Sequence, residues 1–187
     1  RDIIPIGFPS APEINYGFGI SMGYKGFDIS CFLQGLANRS FFINSGFKSG
    51  DGYANAGFNT NQKGIIPFLD QRNMMQTIAD DHWSTENPDP YAFWPRLSID
   101  KTHNNSVQST WWLRDGSFLR LKNVEVGYTL PEAITNKLHI NKARFYLKGS
   151  NLGLLWSNFD LWDPEMGGNG LGYPLQKTFN MGLNVTF

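Results

Sequence analysis

The last ten residues of the chain alternate without a break between apolar side chains and small or polar ones. In TFNMGLNVTF, residues 178–187, every odd-numbered position is apolar, and the last of them is an aromatic residue. A strict period of two is the pattern of a β-strand with one apolar face and one polar face. The segment therefore predicts a strand at the boundary between an apolar and an aqueous environment.

Two earlier stretches repeat this pattern and are joined by a very short connection. Residues 15–24 read NYGFGISMGY and residues 27–35 read FDISCFLQG, with apolar side chains at alternate positions. The two residues between them are Lys25 and Gly26, and a two-residue turn that ends in glycine is a hairpin signal. We therefore predict a β-hairpin over residues 14–35.

Strand patterns return in the second half of the chain after a long stretch without periodicity. Residues 36–116 are rich in Asn, Ser, Gly and aromatic residues, and one short helix is predicted inside them, near residues 71–83. A pair of strands follows over residues 117–151, with a short helix predicted at PEAITNKLHI, where proline opens the first turn. A glycine-rich stretch, 152–174, then leads to the terminal strand at 175–187.

The connections between these strands alternate between short and long. Outer-membrane barrels have short periplasmic turns and long external loops. This rule assigns residues 36–116 and 152–174 to the extracellular side, and the turn at 25–26 and the helix within 117–151 to the periplasmic side. The sequence thus predicts an all-β chain that forms the C-terminal strands of a large antiparallel transmembrane β-barrel. The barrel is incomplete because five strands cannot close it, and the opening RDIIPIGFPS also indicates a fragment.

Composition excludes several other classes. Lys plus Arg and Asp plus Glu both number 16, so there is no net charge to attract nucleic acid. The single cysteine, Cys31, permits no internal disulfide, and no stretch approaches the roughly 20 apolar residues of a membrane helix. A soluble sandwich also alternates, so a secreted carbohydrate-binding β-sandwich module stays open as the alternative. The Gly, Ser, Asn and Thr of the second face favour a water-filled interior over a packed core.

Several segments together resemble the C-terminal end of SusC/RagA-type TonB-linked outer-membrane proteins. These segments are SFLRLKNVEVGYTLP, ARFYLKGSNL, DPE followed by glycine-rich sequence, and YPLQKTFNMGLNVTF. An earlier hairpin of the same family is similar to YGFGISMGYKGFDISCFLQG, and the loop before that hairpin is similar to RDIIPIGFPSAPEINYG. The match runs in order along nearly the whole chain, and only the middle of residues 36–116 is unmatched.

This resemblance implies a barrel of about 22 strands in the outer membrane of a Gram-negative cell. It also implies an N-terminal plug domain and a TonB box, which we expect outside these residues. A SusD-like surface lipoprotein would cap the barrel as a lid, and TonB would energise the import of large nutrients, namely oligosaccharides or other glycans and in some cases peptides. The other implied partners are the barrel-assembly machinery and outer-membrane lipid. No cofactor is implied.

The long predicted loop carries a group of large aromatic side chains. They are Trp83, Tyr91, Trp94, Trp111 and Trp112. Flat aromatic faces stack on sugar rings or pack against a partner protein. Packing within the loops or against the lipoprotein and direct contact with a ligand therefore both remain open for these residues.

Two further groups of residues are candidates on the predicted strands. Arg144, Tyr146 and Lys148 are expected to face the barrel lumen, where they would meet substrate or pair with the plug. The apolar row of the terminal strand is predicted to carry the signal for barrel assembly, and it comprises Phe179, Met181, Leu183, Val185 and Phe187. An inner aromatic girdle is predicted from Tyr24, Phe27, Tyr128 and Phe187.

The sequence does not favour an enzyme. The acidic and histidine residues of DDHWSTE, 80–86, lack the spacing of a metal site such as H-E-x-x-H. Asp163 and Glu165 could form a carboxylate pair for glycoside hydrolysis. We instead assign them to a loop motif that orders a turn. We therefore predict no catalytic residues, no metal and no cofactor.

Overall fold

The computed structural model describes residues 4–43, 76–96, 109–168 and 173–187, and the chain divides into two compact units. The sheet unit comprises Pro12–Asn38, Ser117–Asn158 and Leu175–Phe187. The loop unit comprises Arg1–Ala11, Arg39–Gly116 and Phe159–Pro174. The predicted strands thus fall in one unit, and most of the predicted loops fall in the other.

The described residues form seven strands and two α-helices. The strands are β1 (Ile14–Tyr24), β2 (Phe27–Ala37), β3 (Ser40–Phe42), β4 (Leu113–Asp115), β5 (Phe118–Thr129), β6 (Lys142–Ser157) and β7 (Thr178–Thr186). The helices are α1 (Gln76–Asp80) and α2 (Glu132–Thr135), and short 3-10 turns follow at Asn136–Leu138 and Pro164–Met166. Within this described part, no helix is long and apolar enough to cross a membrane.

The sheet unit is built on one five-stranded antiparallel sheet in the order β1-β2-β5-β6-β7. Strand neighbours in this sheet follow one another along the chain, apart from the small β3-β4 pair of the loop unit. This up-and-down order is the topology of a barrel wall. It confirms the predicted fold class of antiparallel barrel strands.

The apolar positions of the five strands lie in register across the sheet. Met22 pairs with Ile29, Ile29 pairs with Val126, and Val126 pairs with Leu147, which pairs with Met181. Residues directly opposite one another share a face, so these side chains form one continuous apolar face. Most of them are exposed, and Met181 is 77% exposed. A face this large and apolar requires an apolar environment outside the chain.

The hairpin turn between β1 and β2 has the backbone that the sequence predicts. Lys25 and Gly26 have φ values of 48° and 87°, and positive φ at both central residues is what a type I′ turn requires. A Cβ on Gly26 would lie 2.8 Å from the carbonyl oxygen of Thr129. Glycine therefore serves both the turn and its close approach to β5.

A β-bulge in β5 changes which residues face the apolar side. The register with β2 shifts at Phe32/Leu33, so that Leu33 pairs with Leu121 and Phe32 pairs with Asn123, leaving Lys122 between the two pairs. After Lys122 in the chain, the even-numbered residues of β5 lie on the apolar face. Before Lys122, the odd-numbered residues Leu119 and Leu121 lie on that face. Arg120 is thereby placed on the polar face, which explains why this half of β5 does not read as a simple alternation.

The loop unit has a hydrophobic core of its own. Its buried members are Phe41, Ile43, Ile78, Trp94, Trp112 and Phe159. The β3-β4 pair brings residues 40–42 against residues 113–115, and a backbone bond from Ile43 to the carbonyl of Trp112 (3.0 Å) extends this contact. The predicted short helix near residues 71–83 is present as α1 over its described part. Residues 39–116 therefore belong to a packed unit over the parts that are described, and residues 36–38 belong to the sheet unit.

Candidate functional site

The polar face of the sheet carries an ion cluster centred on Arg144. The guanidinium Nε donates to Asp28 Oδ1 (3.0 Å) and Nη2 donates to Glu125 Oε1 (2.8 Å), and Nη2 also contacts Asp28 Oδ2. Asp28 lies on β2, Glu125 on β5 and Arg144 on β6, so one side chain joins three strands. The fork of donors on arginine suits this arrangement because it can bond two carboxylates at once.

Glycine makes the space for this cluster. A Cβ on Gly127 would lie 2.4 Å from Arg144 Nη2 and 2.6 Å from Asp28 Oδ1, both impossible contacts. Gly182 plays the same part for Tyr146, whose ring atoms would lie 2.5 Å from a Cβ there. The Arg144 guanidinium is 5.4 Å from the centre of the Tyr146 ring. The glycines on β5 and β7, the two neighbours of β6, thus leave room for these two large side chains to lie close against the sheet.

Lys148 lies one step further along the same face. It is directly opposite Glu125 on β5 and Asn180 on β7. Arg144, Tyr146 and Lys148 therefore share the face opposite the apolar row, as the sequence predicts. Their proposed contact with substrate or plug remains a prediction, and the structure adds that Arg144 is already bonded to two carboxylates.

The predicted assembly signal lies on the exposed apolar face of β7. Phe179, Met181 and Leu183 are all more than 60% exposed. Val185 faces Ala143 in the register, and Phe187 follows the end of the strand. A ring contact of 4.4 Å between Phe27 and Tyr128 joins two members of the predicted aromatic girdle. That the terminal row directs assembly remains a prediction.

The five aromatic candidates of the loop unit divide into buried and exposed sets. Trp94 and Trp112 are 1% and 2% exposed, and their rings lie 6.0 Å apart in the core. They hold the loop unit together and leave no face for a ligand. Trp83 is half-buried, and its backbone N–H donates to the Trp94 carbonyl (3.0 Å).

Tyr91 and Trp111 form the exposed set. Tyr91 is 91% exposed, and its backbone N–H donates to Asp89 Oδ1 (2.8 Å). Trp111 is 53% exposed and stacks on Phe93 with ring centres 6.0 Å apart. The Arg114 guanidinium lies 4.5 Å from the centre of the Phe93 ring, and Arg114 Nη1 donates to the Trp111 carbonyl (2.7 Å). The exposed indole is therefore held in a fixed orientation.

The DPE motif and Arg39 order another part of the loop unit. The Asp163 carboxylate accepts from the Glu165 backbone N–H (3.0 Å) and caps the short 3-10 turn. This confirms the turn-ordering assignment for this pair. Arg39 Nη1 donates to the Pro164 carbonyl and Nε donates to the Ser10 carbonyl, both at 3.0 Å. Burial lowers the pKa of the Arg39 guanidinium, and the nearby Glu165 carboxylate opposes that shift.

Sequence reasoning missed the partners of several predicted residues. The sequence gives no signal that Asp28 and Glu125 bond Arg144, or that Phe93 and Arg114 hold Trp111. These contacts join residues 19 to 116 positions apart. Only the strand register would have revealed the ion cluster, since it aligns Asp28 with Gly127 and Glu125 with Lys148.

Comparisons with known proteins identify the kind of chain that shares this sequence and fold. No protein-family model matches it. TonB-dependent receptor P26 of Formosa agariphila is 31% identical over 199 residues, which cover 100% of this chain and 18% of the receptor. TonB-dependent receptor P3 of the same organism is 27% identical over 196 residues, covering 97% of this chain and 17% of the receptor. The chain thus spans less than a fifth of the length of these relatives.

Two solved structures share the fold. The RagAB peptide transporter matches with a TM-score of 0.66 and 25% identity, covering 97% of this chain and 18% of that chain. The RagAB peptide importer in its 'open-open' state matches with a TM-score of 0.64 and 23% identity, covering 96% of this chain and 18% of that chain. The resemblance to SusC/RagA-type TonB-linked proteins is confirmed, and so is the partial-barrel fold. The alternative of a soluble β-sandwich is set aside.

Proposed function

We propose, from this chain's similarity to SusC/RagA-type TonB-dependent receptors, that it supplies barrel wall and extracellular loops to an importer of large nutrients in the outer membrane. The observation that carries the proposal is the sheet itself, whose five strands align an exposed apolar face on one side and a polar, charged face on the other. A membrane wall around an aqueous interior needs these two faces. The polar face then lines the path of the nutrient.

The proposed substrate is an oligosaccharide or other glycan, or a peptide, too large for passive diffusion. Similarity to a structure described as a peptide importer supports the peptide class, and exposed aromatic side chains suit either class. Arg144 is satisfied by two carboxylates, so we do not expect it to grip an anionic substrate. Tyr146 and Lys148 are the better candidates on this face.

The proposed partners are a SusD-like surface lipoprotein and TonB. We assign lipoprotein contact to Tyr91 and Trp111, because both are exposed and Trp111 is held rigidly by Phe93 and Arg114. Tyrosine and tryptophan are favoured anchors at protein interfaces, since they bury much area at little entropic cost. Trp94 and Trp112 are assigned to the core of the loop unit.

Nutrient uptake by intact cells tests the transport proposal. Labelled oligosaccharides and peptides of graded length are supplied to cells with the intact protein, to cells without it and to cells without TonB. We expect uptake of one substrate class to be lost in both deletion strains. Uptake that continues without TonB would contradict the proposal.

Two alanine variants test the division of the aromatic residues. Trp111→Ala should leave the loop unit resistant to protease and lower recovery of the lipoprotein with the barrel at least about tenfold, as for an interface hot spot. Trp112→Ala removes a buried ring and should cost the loop unit about 3–5 kcal/mol, so protease should cut it. A Trp111→Ala variant that keeps the lipoprotein and loses uptake would assign this residue to the ligand instead.

A further inference from the structure

At one end of the sheet, backbone hydrogen bonds tie the β1–β2 turn to β5 and the β5–β6 connection to the end of β7. The Thr129 N–H donates to the Gly26 carbonyl (2.7 Å), which ties the first turn to β5. The Asn141 N–H donates to the Thr186 carbonyl (2.8 Å), which ties the β5–β6 connection to the end of β7. We call this end the turn end. Its backbone bonds run across all five strands and give it a fixed shape.

The β5–β6 connection presents two large apolar side chains to the outside. Helix α2 and the following 3-10 turn bury Thr135, which is 1% exposed, and the Ile140 N–H donates to the Thr135 carbonyl (3.1 Å). Ile134 and Leu138 are 44% and 58% exposed. Two large apolar side chains exposed on a short, mostly polar connection call for an apolar contact.

Other exposed apolar side chains lie at the same end of the sheet. Tyr24, Phe27 and Phe187 are more than half exposed at the same end, and Phe27 contacts the Tyr128 ring. The face of the sheet belongs against acyl chains in a membrane barrel. Exposed apolar side chains on a short connection at the end of such a face fit the boundary between acyl chains and headgroups.

The charges of the turn end also fit a lipid surface. Lys25 lies in the first turn and Lys137 in the β5–β6 connection, whose one acidic side chain is Glu132. Lys142, at the start of β6, instead shares the polar face with Arg144. The Lys25 Nζ lies 5.2 Å from the centre of the Tyr24 ring. Lysine can lay its stem along apolar surface and keep its ammonium among headgroups. Ammonium groups at the end of an exposed apolar face favour anionic headgroups.

We propose that residues 132–138 are an interfacial anchor on the inner leaflet of the outer membrane. Ile134 and Leu138 enter the acyl boundary, and Lys25 and Lys137 bind anionic phospholipid headgroups. The anchor fixes the depth of this end of the sheet in the bilayer, because the connection joins β5 to β6 and is bonded to the end of β7. It rests on the membrane-barrel fold and not on the transported substrate, so failure of the uptake experiment would leave it standing.

Fluorescence quenching of the intact protein in vesicles tests the apolar contact. Bimane is attached to Ile134→Cys or Leu138→Cys in a Cys31→Ala background, and Asn136→Cys on the same connection is the control. We expect brominated lipid to quench the first two labels and aqueous iodide to quench the control. Iodide quenching at all three positions would overturn the anchor. Shielding of the first two from both quenchers would also overturn it and would indicate a protein partner.

A lipid-selectivity measurement tests the charge contact. Spin-labelled phosphatidylglycerol and phosphatidylcholine compete for the protein in vesicles made from both lipids. In the Lys25→Gln/Lys137→Gln variant, the preference for phosphatidylglycerol should fall at least about twofold, because each lysine near a charged surface contributes attraction. The matched variant Lys148→Gln, on the polar face of the sheet, should keep the preference. An equal preference in both variants would overturn the headgroup contact.

Discussion

At the scale of single residues, the ion cluster of the polar face depends on a residue with no side chain. Gly127 leaves the room in which the Arg144 guanidinium meets Asp28. The sequence predicts that Arg144 lies on the polar face, because alternation fixes the face of each strand residue. It does not predict the carboxylates that Arg144 bonds, because those depend on which strands are neighbours and in what register.

Replacement of Gly127 by alanine should break this cluster. The new Cβ would stand 2.4 Å from Arg144 Nη2 and 2.6 Å from Asp28 Oδ1, so both side chains have to shift and their mutual bonding is expected to weaken. We expect the assembled barrel to lose its heat-resistant band at a lower temperature on gels, as in Asp28→Asn, and we expect the two changes together to add little. Gly153→Ala is the control, since a Cβ there meets nothing within 4 Å. Equal behaviour of the two alanine variants would contradict this account.

At the scale of elements, simple alternation predicts most of the strands and fails where a bulge resets it. In β1, β2 and β7 every second residue lies on the same face along the whole strand, so the sequence alone predicts which residues face the apolar side. In β5 the apolar face passes from odd-numbered to even-numbered residues at Lys122, and the pairing of β6 with β5 also shifts register. The sequence does not predict these changes, because a β-bulge has no reliable sequence signal. The bulge is nevertheless what keeps the cationic Arg120 away from the apolar face.

Deletion of Lys122 should be tolerated, because the remaining residues of β5 then alternate simply and Arg120 stays on the polar face. Deletion of both Lys122 and Asn123 should not be tolerated, because Leu121 would then precede Val124 directly and Arg120 would turn toward the lipid, where arginine costs about 2–4 kcal/mol at the midplane. We expect the single deletion to assemble in the outer membrane fraction at about the level of Lys122→Ala, and the double deletion to leave little assembled protein. Equal assembly of the two deletion variants would show that the face on which Arg120 lies has no role.

At the scale of the whole molecule, the sequence predicts the fold class. It does not predict which aromatic residues of the loop unit are buried and which are exposed. Alternating faces and the order of short and long connections predict a barrel wall, because both follow from local chain properties. Trp111 and Trp112 are neighbours in sequence, yet one is exposed and the other is in the core. Their difference comes from contacts with residues 41–43, 78 and 159, which are distant along the chain.

The central claim is that the apolar face of the sheet meets lipid and the polar face meets water, and β7 tests it most directly. Single cysteines at positions 178–181, 183 and 184 in a Cys31→Ala background, each carrying a nitroxide, are compared in the intact protein in native membranes. Position 182 is left as glycine because a Cβ there would meet the Tyr146 ring. We predict a period of two, with residues 179, 181 and 183 accessible to oxygen and residues 178, 180 and 184 accessible to a water-soluble nickel complex or shielded from both reagents. Uniform accessibility along the strand, or oxygen accessibility at the even positions, would contradict the claim.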